Sequence, residues 1–124
     1  MDIQSLLARA SEVELERFPW GEIRWLISGA TDPGATMTVG VCRIDPGRSN
    51  PLHHHPNCDE VLYVLSGRWR KQIGDSSMKM GPDDVIRIPR GERHRAETIS
   101  DEPMTCLIAY DTARREAVFL EDIA

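Results

Sequence analysis

Apolar and polar residues alternate along most of this chain with a period of two, in short runs cut by glycine- and proline-rich turns. Successive side chains of a strand point to opposite faces, so this alternation predicts half-buried strands. EVELERF (12–18) alternates and PWG (19–21) breaks it, while EIRWLIS (22–28) is closed by GATDPGA. TMTVGVCRID (36–45) is closed by PGRSNP, and EVLYVLSG (60–67) and RWRKQIG (68–74) predict two strands meeting at a Gly67 turn. SSMKM leads into the turn GPDD; VIRIP (85–89), HRAETIS (94–100) and MTCLIAY (104–110) follow, separated by PRGE and SDEP. The two ends are open: IQSLLARA (3–10) suits a short helix or a lead-in strand, and DTARREAVFLEDIA a strand or a helical turn. Eight or nine short strands with turns every 8 to 12 residues predict an all-β barrel or sandwich.

Composition narrows this picture. The 124 residues are 40% hydrophobic and 28% charged, which predicts one soluble domain, 1–124, with a real core. A net charge of -5 argues against nucleic acid or an anionic membrane as the main partner, since both want clustered cations. The local basic stretches (Arg68, Arg70, Lys71; Arg87, Arg90, Arg93, Arg95) are interrupted by acids and read as a solvated face. Cys42, Cys58 and Cys106 are odd in number and widely spaced, so a disulfide framework is not expected. MDIQSLLARASE lacks the basic start and long apolar run of a secretory signal, and no stretch approaches the ~18 apolar residues of a membrane span. A cytoplasmic location is expected.

The candidate chemistry lies in NPLHHHPNCDE (50–60). An internal histidine triplet flanked by strands is not a terminal tag, but alone it is equally a metal-sticky loop. Strand parity separates it: His53 and His55 share a face and His54 points away. Glu60 opens an apolar strand, where a carboxylate needs a reason to be, and His94 follows the turn PRG. His53, His55, His94 and Glu60 would offer three neutral imidazoles and a carboxylate, a set suited to one divalent transition metal (Fe, Mn, Ni, Cu or Zn) with positions left open. No Ser-His-Asp order, phosphate-binding glycine loop or CxxC pair competes with it.

The stretch from Gly47 through His53, His55 and Glu60 to Gly67 matches the first motif of the cupin superfamily at every fixed position. The stretch 83–98, with Pro89, Gly91 and His94, resembles the second, departing from it at Asp83 (a glycine in the motif) and Thr98 (an asparagine). The resemblance implies a double-stranded β-helix, or jelly-roll barrel, and a homodimer. It implies metal ligation by His53, His55, Glu60 and His94, and a metal-dependent enzyme acting on a small oxygen-bearing metabolite. The reactions it suggests are a dioxygenase, or an isomerase, cyclase or lyase working through an enolate, with Glu60 as base. The alternative is a non-catalytic cupin that binds a metal and a small ligand for sensing; a third is a structural protein with a vestigial metal. Parity places Leu62 and Val64 on the cavity face and Val61 and Tyr63 outside. Thr98, Tyr110 and Arg43 are candidate substrate contacts. Trp20, Trp25 and Trp69 read as core or dimer-interface aromatics, Cys58 as incidental, and Gly67 and Gly91 as turn residues of unusual φ.

Overall fold

The computed structural model describes residues 1–121. Of the two readings of the N-terminus the helical one holds, as a single 3-10 turn, Ile3–Leu6, with Asp2 accepting from the Gln4 amide. The strands are β1 (Leu15–Phe18), β2 (Gly21–Ile27), β3 (Thr38–Ile44), β4 (His53–His54), β5 (Glu60–Ser66) and β6 (Trp69–Ile73). They continue as β7 (Ser76–Met80), β8 (Val85–Ile88), β9 (His94–Thr98), β10 (Met104–Tyr110) and β11 (Val118–Phe119). One sheet has the order β1-β2-β3-β10-β5-β8 and the other β11-β4-β9-β6-β7. Each ladder is antiparallel, and β10 lies between β3 and β5 while β9 lies between β4 and β6. These crossovers roll the chain into an all-β jelly roll, the double-stranded β-helix of cupins. Among the described residues no helix is long and apolar enough to cross a membrane.

Alternation works where one face meets the core. In β5, Glu60, Leu62 and Val64 are buried while Val61, Tyr63 and Leu65 are exposed. Both sheets feed one core, with Ile44, Leu62, Val64 and Cys106 from the first and Trp69 and Ala96 from the second. The pattern is silent where burial is one-sided. SSMKM forms β7, paired with β6 from Trp69↔Met80 to Ile73↔Ser76, yet four of its five residues are exposed. An edge strand with a solvated surface carries no apolar rhythm to read. EVELERF contributes only Leu15–Phe18 to β1. The tail pairs as a strand, Val118↔His54 and Phe119↔His53.

Both predicted turn glycines sit in the left-handed region, Gly67 at φ 77° and Gly91 at φ 81°. Gly67 is also a contact point: a Cβ there would lie 2.5 Å from the Pro103 carbonyl oxygen and 2.6 Å from Met104 Cα. Asp83 keeps the left-handed turn without being glycine, at φ 72°. Its amide donates to the Val64 carbonyl at 2.9 Å, and its carboxylate accepts from the Tyr63 hydroxyl at 2.6 Å. Aspartate tolerates this conformation better than most side chains.

Candidate metal centre

The register of the second sheet brings the histidines together. β4 pairs with β9 through His53↔His94, and His55 follows two residues after His53 on the same side. The ligand atoms of His53, His55 and His94 lie within 4.8 Å of one another, and all three side chains are buried. His54 points away, half-buried, in the ladder with β11.

Each ring of the triad is held through Nδ1 by a backbone carbonyl. His53 donates to Pro51 O at 2.7 Å, His55 to Glu116 O at 2.8 Å and His94 to Glu92 O at 2.9 Å. A carbonyl oxygen only accepts, so the proton of each neutral ring is on Nδ1 and Nε2 presents a bare lone pair. Burial favours the neutral ring. It pushes the His53 pKa down to about 3, aided by the neighbouring His94, and holds His94 below its ordinary value as well.

Glu60, at the head of β5, is 4% exposed and places Oε1 3.2 Å from His94 Nε2 and 3.4 Å from His55 Nε2. Burial alone would raise its pKa. A proton on His55 or His94 Nε2, where the ring carries one, and the Lys71 ammonium outweigh that and hold the carboxyl well below its usual range. With the ring protons on Nδ1 instead, the carboxylate faces two bare nitrogen lone pairs. His55 Nε2 has no hydrogen-bond partner, despite being buried. A cluster of converging acceptors without a proton between them calls for a cation. Nδ1–H bonds to carbonyls on the far side of the ring are how metal-binding imidazoles are oriented. The residues present fit one divalent transition metal ion, which the buried tri-His site is capable of coordinating. Glu60 stands beside this triad, against His55 and His94.

The triad closes one end of a cavity of about 320 Å³ running between the sheets. Its walls are mainly apolar and aromatic: Phe18, Trp20, Trp25, Leu62, Trp69 and Ile108. The three tryptophans are thus cavity walls; Trp20 and Trp69 are also core residues, and Trp25 packs against the core. Leu62 lines the cavity as parity predicts, while Val64 lies in the core outside its lining.

The three candidate substrate contacts part company. Tyr110 lines the cavity, its ring 5.0 Å from that of His55; burial and the Glu60 charge keep its hydroxyl protonated. Thr98 is buried and donates to the Ile44 carbonyl at 3.0 Å, joining the two sheets outside the cavity lining. Arg43 alternates outward from Cys42 and Ile44 and lies 3.9 Å from both Glu22 and Asp45. Cys58 is buried in the core, and burial, with Asp111 beside it, pushes its thiol up to about 11.

Sequence reasoning missed several cavity residues. Lys71 is not part of a solvated basic face: it is 2% exposed and lines the cavity. Its parity with Trp69 and Ile73 in β6 was the available signal, whereas Arg70 does point outward. Asn50 lines the cavity too, its side-chain oxygen accepting from the Ala96 amide at 2.8 Å. The tail completes the wall. Glu116 fixes His55, Phe119 stands 5.7 Å from His53, and the Arg115 guanidinium lies over Trp25 at 4.1 Å. Nothing in its local pattern announces this role, because the contacts are with residues tens of positions away.

The "Cupin domain" family profile matches residues 40–110. "Polyketide synthase CurC" of Streptomyces cyaneus is 29% identical over 91 residues, which are 73% of this chain and 59% of that protein. "Germin-like protein subfamily 2 member 1" of Arabidopsis thaliana is 34% identical over 100 residues, 70% of this chain and 45% of its own length. The chain thus spans about half the length of these relatives. The structure of oxalate decarboxylase from Bacillus subtilis at pH 4.6 superposes with a TM-score of 0.82 at 26% identity, covering 90% of this chain and 31% of that one. The profile match falls on the strands that carry His53, His55, Glu60 and His94, and with it this chain belongs to the cupin family.

Proposed function

We propose that this chain is a metal-dependent cupin enzyme acting on a small oxygen-bearing metabolite, with residues 1–124 forming one cupin domain. The observation that carries this reading is the triad: three Nε2 lone pairs aimed at one point, each proton fixed behind it, lining a cavity between the sheets. In this reading His53, His55 and His94 hold the ion, with Glu60 as a fourth ligand that can turn to the substrate. A bound divalent ion supplies Lewis-acid stabilisation of negative charge developing on a substrate oxygen and, with Fe(II), access to dioxygen chemistry. Glu60, ionised and within reach of that point, takes the proton from the carbon α to the substrate carbonyl, leaving the electron pair as an enolate on that oxygen. Tyr110, kept protonated, donates a hydrogen bond to the substrate. The apolar walls exclude water from the resulting enolate.

The walls also bear on the substrate. A carbon-poor dianion such as oxalate, named for the Bacillus decarboxylase, would leave Phe18, Trp20, Trp25 and Ile108 without a partner. An aromatic or alicyclic enol, nearer to the polyketide in the name of the Streptomyces relative, would cover them. We extend the reading to a homodimer in the cytoplasm. Exposed Val61, Leu65, Val85 and Leu107 on neighbouring strands of one sheet support the first, and three free buried cysteines the second. The test is elemental analysis of untagged protein, followed by turnover assays of its Fe(II), Mn(II) and Ni(II) forms against cyclic diketones, catechols and oxalate. Turnover of an enolisable ring compound is expected. Ligand-induced stabilisation without turnover would favour the sensing reading, and absence of bound metal would refute both.

A further inference from the structure

β6 buries Trp69 and Lys71 and turns Arg70 outward, so Lys71 occupies a position where a strand facing a core carries an apolar side chain. It is among the largest fully buried side chains of the protein. Its ammonium lies 5.1 Å from the Trp69 ring centre. Among the described residues no hydrogen bond or ion pair engages it. The acid whose charge it feels most, Glu60, stands against His55 and His94 and forms no ion pair with it. Burying a cation without a partner is strongly unfavourable, and burial accordingly pushes the Lys71 pKa down. A folded chain has no structural use for such a group at this place, since Met or Leu would pack there better. What distinguishes the position is that it opens on the same cavity as the triad.

We propose that Lys71 is the anion-binding residue of the substrate site, pairing with a carboxylate or enolate oxygen of a ligand whose second oxygen faces the His53–His55–His94 end. This rests on the metal-dependent reading above and adds the substrate class: a small acid with an apolar, ring-sized body and two oxygens. The body is set by the aromatic walls between the two polar ends, and the charge by the Lys71 ammonium. A lysine suits one oxygen rather than a planar pair, so the carboxylate or enolate binds through one atom.

The test uses Co(II)-loaded protein with salicylate and its neutral counterpart salicylamide as probes, read by calorimetry, thermal melting and the visible spectrum of the ion. Wild-type protein is expected to bind salicylate in preference to salicylamide. Lys71→Met should weaken salicylate by about 10- to 100-fold and leave salicylamide unchanged. Its Co(II) content should match wild type, and its melting temperature without probe should be equal or higher. Equal salicylate affinity in the variant, or no preference for the anion in wild type, would overturn the proposal. So would failure of both Lys71→Met and Lys71→Gln to fold, which would make Lys71 a core residue. Wild-type protein that does not retain Co(II) refutes the metal reading instead; salicylate preference in the metal-free protein then still decides for or against Lys71.

Discussion

His53 ties the stability of the metal-free protein to pH. The ring is 9% exposed, and its pKa is pushed from 6.5 to about 3, chiefly by burial and then by the approach of His94. In the unfolded chain the same ring protonates near pH 6.5, so between that value and about 3 the unfolded state binds a proton that the folded state refuses. Stability therefore falls as pH falls through this window and levels off below it. At about 1.36 kcal/mol per unit, the full loss is roughly 5 kcal/mol, of which about 2 kcal/mol is incurred between pH 6.5 and 5. His94, also depressed by burial, acts with the same sign. Glu60 is held down instead, so its stabilisation is lost only as pH falls below the ordinary carboxylate range, which pH 5 avoids. Urea unfolding of chelator-treated wild type and His53→Leu at pH 7.5 and 5.0 isolates the ring. The wild type should lose about 2 kcal/mol more than the variant over this interval. Parallel losses in the two proteins would refute the claim that His53 is buried neutral.

Gly67→Ala should lower stability by about 3 kcal/mol or more, since the new methyl meets the backbone of Pro103 and Met104 in a left-handed turn. Gly91→Ala, at a similar φ but with nothing within 4 Å, should cost only about 1–2 kcal/mol; denaturant melts of the pair separate steric contact from backbone strain. Thr98→Val removes the hydroxyl that satisfies the Ile44 carbonyl, and should cost about 1–2 kcal/mol while calorimetry shows unchanged ion binding. Free divalent ion at about 100 times its Kd should stabilise the wild type by about 2.7 kcal/mol, a gain that His94→Ala abolishes in thermal melts.

Much of the site is legible in the order of residues. Strand direction is a local property of the extended backbone, so HHH resolves into His53 and His55 on one face and His54 on the other from neighbours alone. The same parity places Leu62 in the cavity and Tyr63 outside, and would place Lys71 with Trp69 if its charge did not suggest solvent. Turn chemistry at Gly67 and Gly91 is equally local, and at Asp83 the turn survives without its glycine because an aspartate tolerates that φ.

Other features depend on pairing between distant segments. That His94 faces His53 follows from the β4–β9 register, and that Glu116 orients His55 follows from the return of the tail. Thr98 bonds to Ile44 because two sheets meet there, and Arg43 leaves the cavity because Cys42 and Ile44 enter the core. Strand parity, turns and the kinds of ligand available arise within a few bonds of each residue, so the chain's local order is enough to specify them. Which side chains share a cavity, and that Lys71 stands in it without a hydrogen bond or ion pair to any described residue, come from tertiary packing, because burial and charge pairing are set by residues far apart in the chain.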